Sequence, residues 1–268
     1  MFDMTRTTIR PPAVAGMFYP DDPDVLREQV LDLLRAAPAA GPPPKAVIVP
    51  HAGYIYSGPI AASAYVRIAK AHADIRRVVL LGPAHRVAFN GIAASSAAAF
   101  TTPLGSVPVD QKALRLIDDL PQVRVFDTAH AAEHSLEVQL PFLQLALDDF
   151  TLVPLVVGDA TPEQVDEVLE RLWGGAETLI VISSDLSHYH DYDSARRLDQ
   201  ATSRAIEALR EQDIGHDHAC GRIPVNGLLQ TARHHGLRAR TVDLRNSGDT
   251  AGGRDRVVGY GAYVFESA

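Results

Sequence analysis

The chain has 268 residues, of which 46% are hydrophobic and 22% charged, a balance typical of a globular protein with a sizeable core. Its formal net charge of −8 excludes the basic surface that nucleic-acid binding requires. No apolar run reaches the roughly 18–20 residues of a membrane span, and the N-terminus, MFDMTRTTIRPP, lacks the apolar core of a signal peptide. With a single cysteine, Cys220, no internal disulfide can form. We therefore expect a cytoplasmic protein without nucleic-acid or membrane partners.

Short apolar strands alternate with amphipathic helices along the chain. The first helix is predicted over 20–38, where Asp22 is suited to cap it and Pro23 lies in its first turn. Further helices are predicted at 60–71, 161–173, 192–211 and 224–235, and strands at 45–50, 76–83, 151–158, 178–185, 237–244 and 256–265. Segments 91–95 and 106–109 are expected to add antiparallel edge strands. The pattern predicts a single α/β domain over residues 1–268, with a mixed, mostly parallel central sheet and helices on both faces.

Three of the predicted strands are followed by a histidine. KAVIVP runs directly into His51, VVLLGP is followed by Ala84 and His85, and TLIVISSD is followed closely by His188. Ligands of an open α/β sheet bind outside the carboxyl ends of its strands, and imidazole is the commonest metal ligand. One such histidine alone would be an ordinary polar loop residue. Three with the same placement predict one shared site.

Cys220 lies in HACGRIPVNGLLQ, just before a helix that is predicted to open at Pro224. The partial positive charge at a helix N-terminus favours a thiolate, which can bind a metal or attack an electrophile. A lone cysteine is more often a small buried hydrophobe. Here its neighbours, Gly221 and Arg222, are typical of a loop and not of an apolar stripe, which favours a functional role.

Residues 130–134 spell H-x-x-E-H, the zinc ligands and base of one metalloprotease class. That motif needs a continuous helix and a further acidic ligand, whereas His130 closely follows the strand-like VRVFDTA. A zinc peptidase is therefore the weaker hypothesis. We expect His134 and Glu137, three residues apart on the first turn of a helix, to face the crevice that holds the other histidines.

Two acidic residues are further candidates. Asp185 ends a predicted strand and can orient His188 or another imidazole by accepting its N–H, although a helix cap or a plain loop carboxylate fits its position equally well. Asp249 lies in RNSGDTAGG. The AGGRD sequence that follows does not connect a strand to a helix as a phosphate-binding loop would, so no nucleotide motif is indicated.

A series of motifs from about residue 13 to 265 resembles the Memo family, whose bacterial members are called AmmeMemoRadiSam system protein B. The motifs are, in chain order, VAGMFYP, PHAGYIYSG, LLGPAHR, TPLGSVPVD, EHSLEVQLPF, SSDLSHY, CGRIP and VVGYGAY. The resemblance implies a fold similar to class III extradiol dioxygenases, with the site at the sheet edge. It also implies that His51, His85 and Cys220 bind iron or copper, with zinc as a further option. His188 would be the catalytic acid/base, with Asp185 beside it.

The residues expected to contact a substrate are Tyr54, His134, Glu137, Arg222 and Asp249. The sequence thus predicts a mononuclear metalloprotein, and a redox enzyme related to non-haem iron dioxygenases is the activity that the resemblance implies. Catechol cleavage does not follow, because those dioxygenases use a carboxylate where Cys220 stands here. The resemblance also implies protein partners from the radical-SAM/AMMECR1-like system, while the small molecule or peptide ligand stays open.

Two alternatives remain beside the metalloprotein. In the first, the protein is a binding module that grips an acidic or phosphorylated peptide through Arg86, Arg222 and the histidines, and metal is incidental. In the second, Cys220 and a histidine form a nucleophilic pair without metal. Metal content, chelation and thiol labelling distinguish the three.

Overall fold

The computed structural model describes residues 8–267, which form twelve strands and eight α-helices. The strands are β1 (Ile9–Arg10), β2 (Ala46–Val49), β3 (Arg77–Pro83), β4 (Ile92–Ala94), β5 (Ala99–Thr102), β6 (Gly105–Pro108), β7 (Val123–Val125), β8 (Thr151–Val157), β9 (Thr178–Ser183), β10 (His188–His190), β11 (Leu237–Asn246) and β12 (Val257–Ser267). The helices are α1 (Pro23–Ala36), α2 (Tyr54–Ile68), α3 (Gln111–Leu114), α4 (Asp127–Ala131), α5 (Leu140–Ala146), α6 (Pro162–Leu172), α7 (Tyr192–Glu207) and α8 (Arg222–His234).

Nine strands form the central sheet, in the order β10-β12-β2-β9-β3-β8-β4-β7, with β11 paired to β12. The four strands β2, β9, β3 and β8 are mutually parallel. They are flanked by β12 on one side and β4 on the other, and both flanking strands run antiparallel to them. The predicted mixed α/β sheet is therefore confirmed.

The two segments predicted as antiparallel edge strands differ in outcome. β4 joins the central sheet antiparallel to β8, as expected. It is not the edge strand, however, because β7 pairs with its other side. The strand predicted at 106–109 forms, as β6, but the prediction that it joins the central sheet is wrong. It belongs to a separate three-stranded sheet with β5 and β1. Only two residues separate the paired ends Thr102 and Gly105, so β6 folds back on β5 as a hairpin.

Helix α2 begins at Tyr54, earlier than the predicted residue 60, and continues through Pro59. Gly58 and Pro59 disfavour a helix locally, but packing outweighs this preference. A Cβ at Gly58 would lie only 2.9 Å from Leu33 Cδ1 of α1, so the missing side chain lets α1 and α2 approach closely. The earlier start also buries Tyr54.

Helices cover both faces of the sheet. α1, α2 and α5 pack against one another, and α6 packs against α8. The buried apolar side chains form one continuous cluster. Among residues 8–267, no helix combines the length and the apolar character needed to cross a membrane.

The order of the parallel strands brings three predicted site residues to one edge. β2, β9 and β3 are neighbours, so their carboxyl ends lie side by side. His51, Asp185 and His85 each follow one of these strands by two residues.

A buried carboxyl group on α7 makes the stability of the fold depend on pH. Asp199 is 2% exposed and accepts a hydrogen bond from the backbone N–H of Ser187. Burial raises the pKa of Asp199 from 3.8 to about 6. The folded state therefore holds this proton more tightly than the unfolded state. The contribution of protonated Asp199 to the free energy of unfolding is complete below pH 3.8 and is lost as the pH rises through about 6.

We expect Asp199→Asn to reduce this pH dependence, because the amide stays neutral and its oxygen still accepts from Ser187. Urea unfolding at about pH 4.5 and about pH 8 measures the effect: the loss of unfolding free energy between them should be smaller in the variant by about 2 kcal/mol. Asp193→Asn, an exposed carboxylate on the same helix, is the control. Identical losses in wild type and Asp199→Asn would contradict this assignment.

Candidate metal site

The side chains of His51, His85 and His134 form one cluster. One ligand atom from each ring lies within 4.8 Å of those of the other two. The ring centres of His51 and His85 are 5.1 Å apart, and those of His85 and His134 are 4.6 Å apart. The loops after β2 and β3 supply the first two histidines, and the segment between α4 and α5 supplies His134.

Ser183, the last residue of β9, fixes the tautomer of His51. The His51 ring is buried, with Nδ1 2.9 Å from Ser183 Oγ. The Ser183 hydroxyl donates its single proton to the carbonyl oxygen of Ser135 at 2.6 Å, so it can only accept from His51. Nδ1 therefore carries the proton and Nε2 presents a lone pair.

Glu133 fixes His85 in the same way. Its Oε1 lies 2.9 Å from Nδ1 of His85, and its Oε2 accepts the backbone N–H of His85 at 2.6 Å. The backbone N–H groups of His134 and Ser135 also donate to Oε1. Burial alone would raise the pKa of Glu133, but the hydrogen bonds from His85 and Ser135 lower it to about 2. The charged carboxylate holds the proton on Nδ1 of His85 and leaves Nε2 free for a ligand.

Burial keeps two of these imidazoles neutral, which is the form that binds a metal. Burial and the charge of His85 hold the pKa of His51 well below its usual range. Burial also lowers the pKa of His134 to about 4, although Glu133 opposes the shift. Nδ1 of His134 is buried and lies 3.3 Å from Oε1 of Glu133, although it makes no hydrogen bond within the described part of the chain.

Cys220 lies at the His51 side of the cluster. Its Sγ is 3.3 Å from His51 Nε2 and 3.6 Å from the carbonyl oxygen of Asp185. Burial, followed by the charge of Asp185, raises the pKa of Cys220 to about 12. In the absence of a metal ion, burial outweighs the helix dipole and favours the thiol form of Cys220, contrary to the thiolate expected from the helix N-terminus. A neighbouring cation would favour the thiolate again.

Asp185 supports the backbone of His51, not an imidazole. Its buried Oδ1 accepts the backbone N–H of His51 at 2.7 Å, and burial raises its pKa to about 6. Among the described residues, Asp185 makes no hydrogen bond with the His188 ring, which was the expected contact. Nδ1 of His188 lies 2.9 Å from the carbonyl oxygen of Leu186 instead. That carbonyl holds the proton on Nδ1, so Nε2 of His188 is free to accept one.

The backbone beside His188 is strained. Tyr189 has a φ of 63°, which non-glycine residues rarely adopt, and the register of β10 against β12 shifts at this point. Such strain persists only where surrounding structure enforces it, and it clusters at functional sites. The strained position directly follows His188 in the sequence.

Two residues expected to contact substrate have structural partners instead. The Tyr54 hydroxyl is buried and donates to the carbonyl oxygen of Val138 at 2.7 Å. Asp249 accepts from the Tyr192 hydroxyl and from the backbone N–H of Asn246, which closes the turn after β11. These contacts give both side chains a structural role, and their predicted contact with a substrate stays a prediction.

Glu137 also has a full set of partners, and it does not share the crevice with His134. Its carboxylate is fully buried and anchors the segment 10–19. The groups that donate to it are the Arg10 guanidinium, the backbone N–H groups of Ala13 and Val14, and the Tyr19 hydroxyl. The anchored segment carries Phe18, whose ring centre is 4.8 Å from that of His134.

A cleft of ≈ 730 Å³ opens beside the cluster, and His85 and Cys220 both line it. Arg86, Arg222 and Phe89 are among its other walls. Arg222, the first residue of α8, therefore lies beside two of the predicted ligands, in a position to contact a bound molecule.

Comparison with known proteins identifies the family. A family model described as Memo-like protein matches residues 10–264. This chain belongs to the Memo family. Three MEMO1 family proteins show the extent of the similarity. The protein of Aquifex aeolicus (strain VF5) is 38% identical over 270 residues, covering 96% of this chain and 99% of the relative. Those of Saccharolobus solfataricus and Ignicoccus hospitalis are each 35% identical, covering 96% of this chain and 99% and 98% of their own lengths.

In this Memo-family chain, the H-x-x-E-H stretch works differently from the peptidase motif. α4 ends at Ala131, so His130 and His134 do not share a helix, and His130 Nε2 lies 3.0 Å from the carbonyl oxygen of Ala93 instead. The prediction that His134 begins a helix is also wrong, because the next helical turn starts at Glu137. Sequence reasoning missed Glu133, although its position next to His134 in this motif was the available signal.

Proposed function

We propose that this Memo-family protein binds one transition-metal ion, iron or copper, at the carboxyl edge of its sheet through His51, His85 and Cys220. The observation that carries the proposal is the convergence of oriented imidazoles beside the only sulfur of the chain that can act as a thiolate ligand. Imidazole suits iron, copper and zinc, and a thiolate adds affinity for the softer of these ions. Zinc is therefore the third option.

The spacing of the donor atoms supports the proposal. Nitrogen and sulfur ligands at about 2.0–2.3 Å from a metal ion lie about 3–4.5 Å from each other. The 3.3 Å between His51 Nε2 and Cys220 Sγ falls in this range, and a small side-chain adjustment brings His51 and His85, whose ligand atoms lie within 4.8 Å of each other, to it. Cys220 is not part of the group that lies within 4.8 Å, so its Sγ has to move toward His85 to complete the proposed set. Ser183 and Glu133 already hold the protons away from the atoms that would coordinate.

A bound transition metal would supply Lewis-acid or redox chemistry at open coordination positions, and we propose a redox enzyme on this ground. The chain itself supplies the proton transfer and the binding surface. His188 Nε2 accepts a proton from a substrate hydroxyl and later returns it. The cleft beside His85 and Cys220 holds the substrate.

Elemental analysis after anaerobic purification tests the proposal. We expect about one iron or copper ion per chain, and Cys220→Ser should remove most of it. His134→Ala is the paired variant, because His134 belongs to the geometric cluster without being a proposed ligand. If His134→Ala loses the ion and Cys220→Ser retains it, the three histidines are the ligands. If wild type carries no transition metal, the proposal is wrong.

A second candidate function is supported by the two arginines in the cleft. Arg86 and Arg222 suit an anionic group, such as the carboxylates or phosphate of a partner peptide. Retention of a phosphorylated peptide after chelation would favour this binding module, and its loss on chelation would favour the metalloprotein. A nucleophilic Cys220 is less well supported, because burial keeps it a thiol. A lone thiol fits a reducing compartment, and we propose a cytoplasmic location for that reason.

A further inference from the structure

Helices α6 and α8 carry a second group of metal-binding side chains. Asp166 and Glu170 lie one turn apart on α6, and His234 ends α8. One ligand atom from each lies within 4.8 Å of the other two. His234 is at the opposite end of α8 from Arg222, about 18 Å away along the helix axis. This group is therefore separate from the histidine cluster, and the inference does not rest on the proposed function.

The distances in this group fit a coordinated ion better than hydrogen bonds. Nδ1 of His234 is 3.5 Å from Asp166 Oδ1 and 3.5 Å from Glu170 Oε1. Hydrogen bonds between nitrogen and oxygen are about 2.7–3.2 Å long. Two donors bound tetrahedrally at about 2.0–2.1 Å from zinc are about 3.4 Å apart. The two separations from His234 thus match those of ligands around one ion, and the two carboxylates lie within 4.8 Å of each other.

Neighbouring side chains hold both carboxylates in place. Thr231 Oγ1 donates to Asp166 Oδ1 at 2.7 Å. His235 Nε2 lies 3.1 Å from Glu170 Oε2, which leaves Oε1 facing His234. The His235 ring is itself stacked on Trp173, with centroids 4.1 Å apart. Carboxylate ligands of metal sites are typically supported by hydrogen bonds of this kind.

We propose that Asp166, Glu170 and His234 bind a divalent cation of the zinc type, with water completing the coordination. Two carboxylates one helical turn apart repel each other, and the ion neutralises this repulsion. It also joins the end of α8 to α6, so that binding stabilises the contact between the two helices.

Zinc titration of the full-length protein tests this site. His234→Ala should bind one Zn²⁺ fewer per chain than wild type and should lose the rise in melting temperature that this ion produces. His72→Ala is the matched control: His72 is 57% exposed and His234 is 58% exposed, and within residues 8–267 Asp148 is the only acidic partner of His72. The control should bind as many ions as wild type.

Glu170→Gln provides a second variant that keeps the shape of the side chain, and it should weaken zinc binding at this site about 10-fold or more. Equal stoichiometry and affinity in wild type and His234→Ala would overturn the inference. Equal weakening in His234→Ala and His72→Ala would identify adventitious surface binding and would also overturn it. Loss of an ion only in Cys220→Ser would overturn this site and leave the proposed function intact.

Discussion

Replacing His51 with alanine is expected to lower the affinity for the metal ion by more than about 100-fold, beyond the loss typical of changes outside the ligands. His51 is common to both ligand sets, the one with Cys220 and the one with His134. Its ring is fixed by Ser183, and alanine supplies no donor atom in its place. Two measurements test the effect. The first is the metal content of anaerobically purified His51→Ala, and the second is its dissociation constant, from titration of the metal-depleted protein.

His130→Ala is the matched control for this experiment. His130 and His51 are both 2% exposed, so their removal leaves cavities of the same kind. The His130 ring contacts the carbonyl oxygen of Ala93 and lies outside the histidine cluster. We expect His130→Ala to lose stability and keep its metal. If both variants lose the ion equally, core disruption explains the loss and His51 is not shown to be a ligand.

The sequence predicted those parts of the site that depend on buried strands. A strand such as KAVIVP is recognisable because it is short and wholly apolar, and its end places His51. The same holds for His85 after β3. Parallel neighbours in one sheet end at the same edge, so the convergence of these two residues follows once the strands are known.

The parts that depend on irregular segments were not predictable in the same way. Residues 132–136 form neither a helix nor a strand, and hydrogen bonds from Arg10 and His85, which are distant in the sequence, hold Glu133 in place beside His134. Cys220 shows a related difficulty: a local rule about helix N-termini predicts a thiolate, while burial against Asp185 determines the pKa. In both cases distant residues outweigh the local sequence.

Replacing Glu137 with alanine is expected to destabilise the fold by about 3–5 kcal/mol, because it leaves the buried Arg10 guanidinium without its counter-ion. The change also removes the acceptor for the backbone N–H groups of Ala13 and Val14. Urea unfolding measures the loss. Glu211→Ala, which breaks the more exposed pair with Arg233, is the control and should cost only about 0–1 kcal/mol.

A double variant separates charge from packing in this prediction. Arg10→Met combined with Glu137→Gln removes both charges and keeps an acceptor oxygen, so it should be more stable than Glu137→Ala alone. A cost below about 1 kcal/mol for Glu137→Ala would show that the ion pair does not anchor segment 10–19.

The same substitution should also weaken metal binding, although Glu137 contacts no proposed ligand. Arg10 donates to the carbonyl oxygen of Glu133 at 2.6 Å, and Glu133 orients His85. Phe18, on the anchored segment, packs against His134. Loss of the anchor therefore frees two neighbours of the cluster at once. We expect folded Glu137→Ala to bind the ion about 10-fold more weakly, as for other residues that support metal ligands, with Glu211→Ala unchanged.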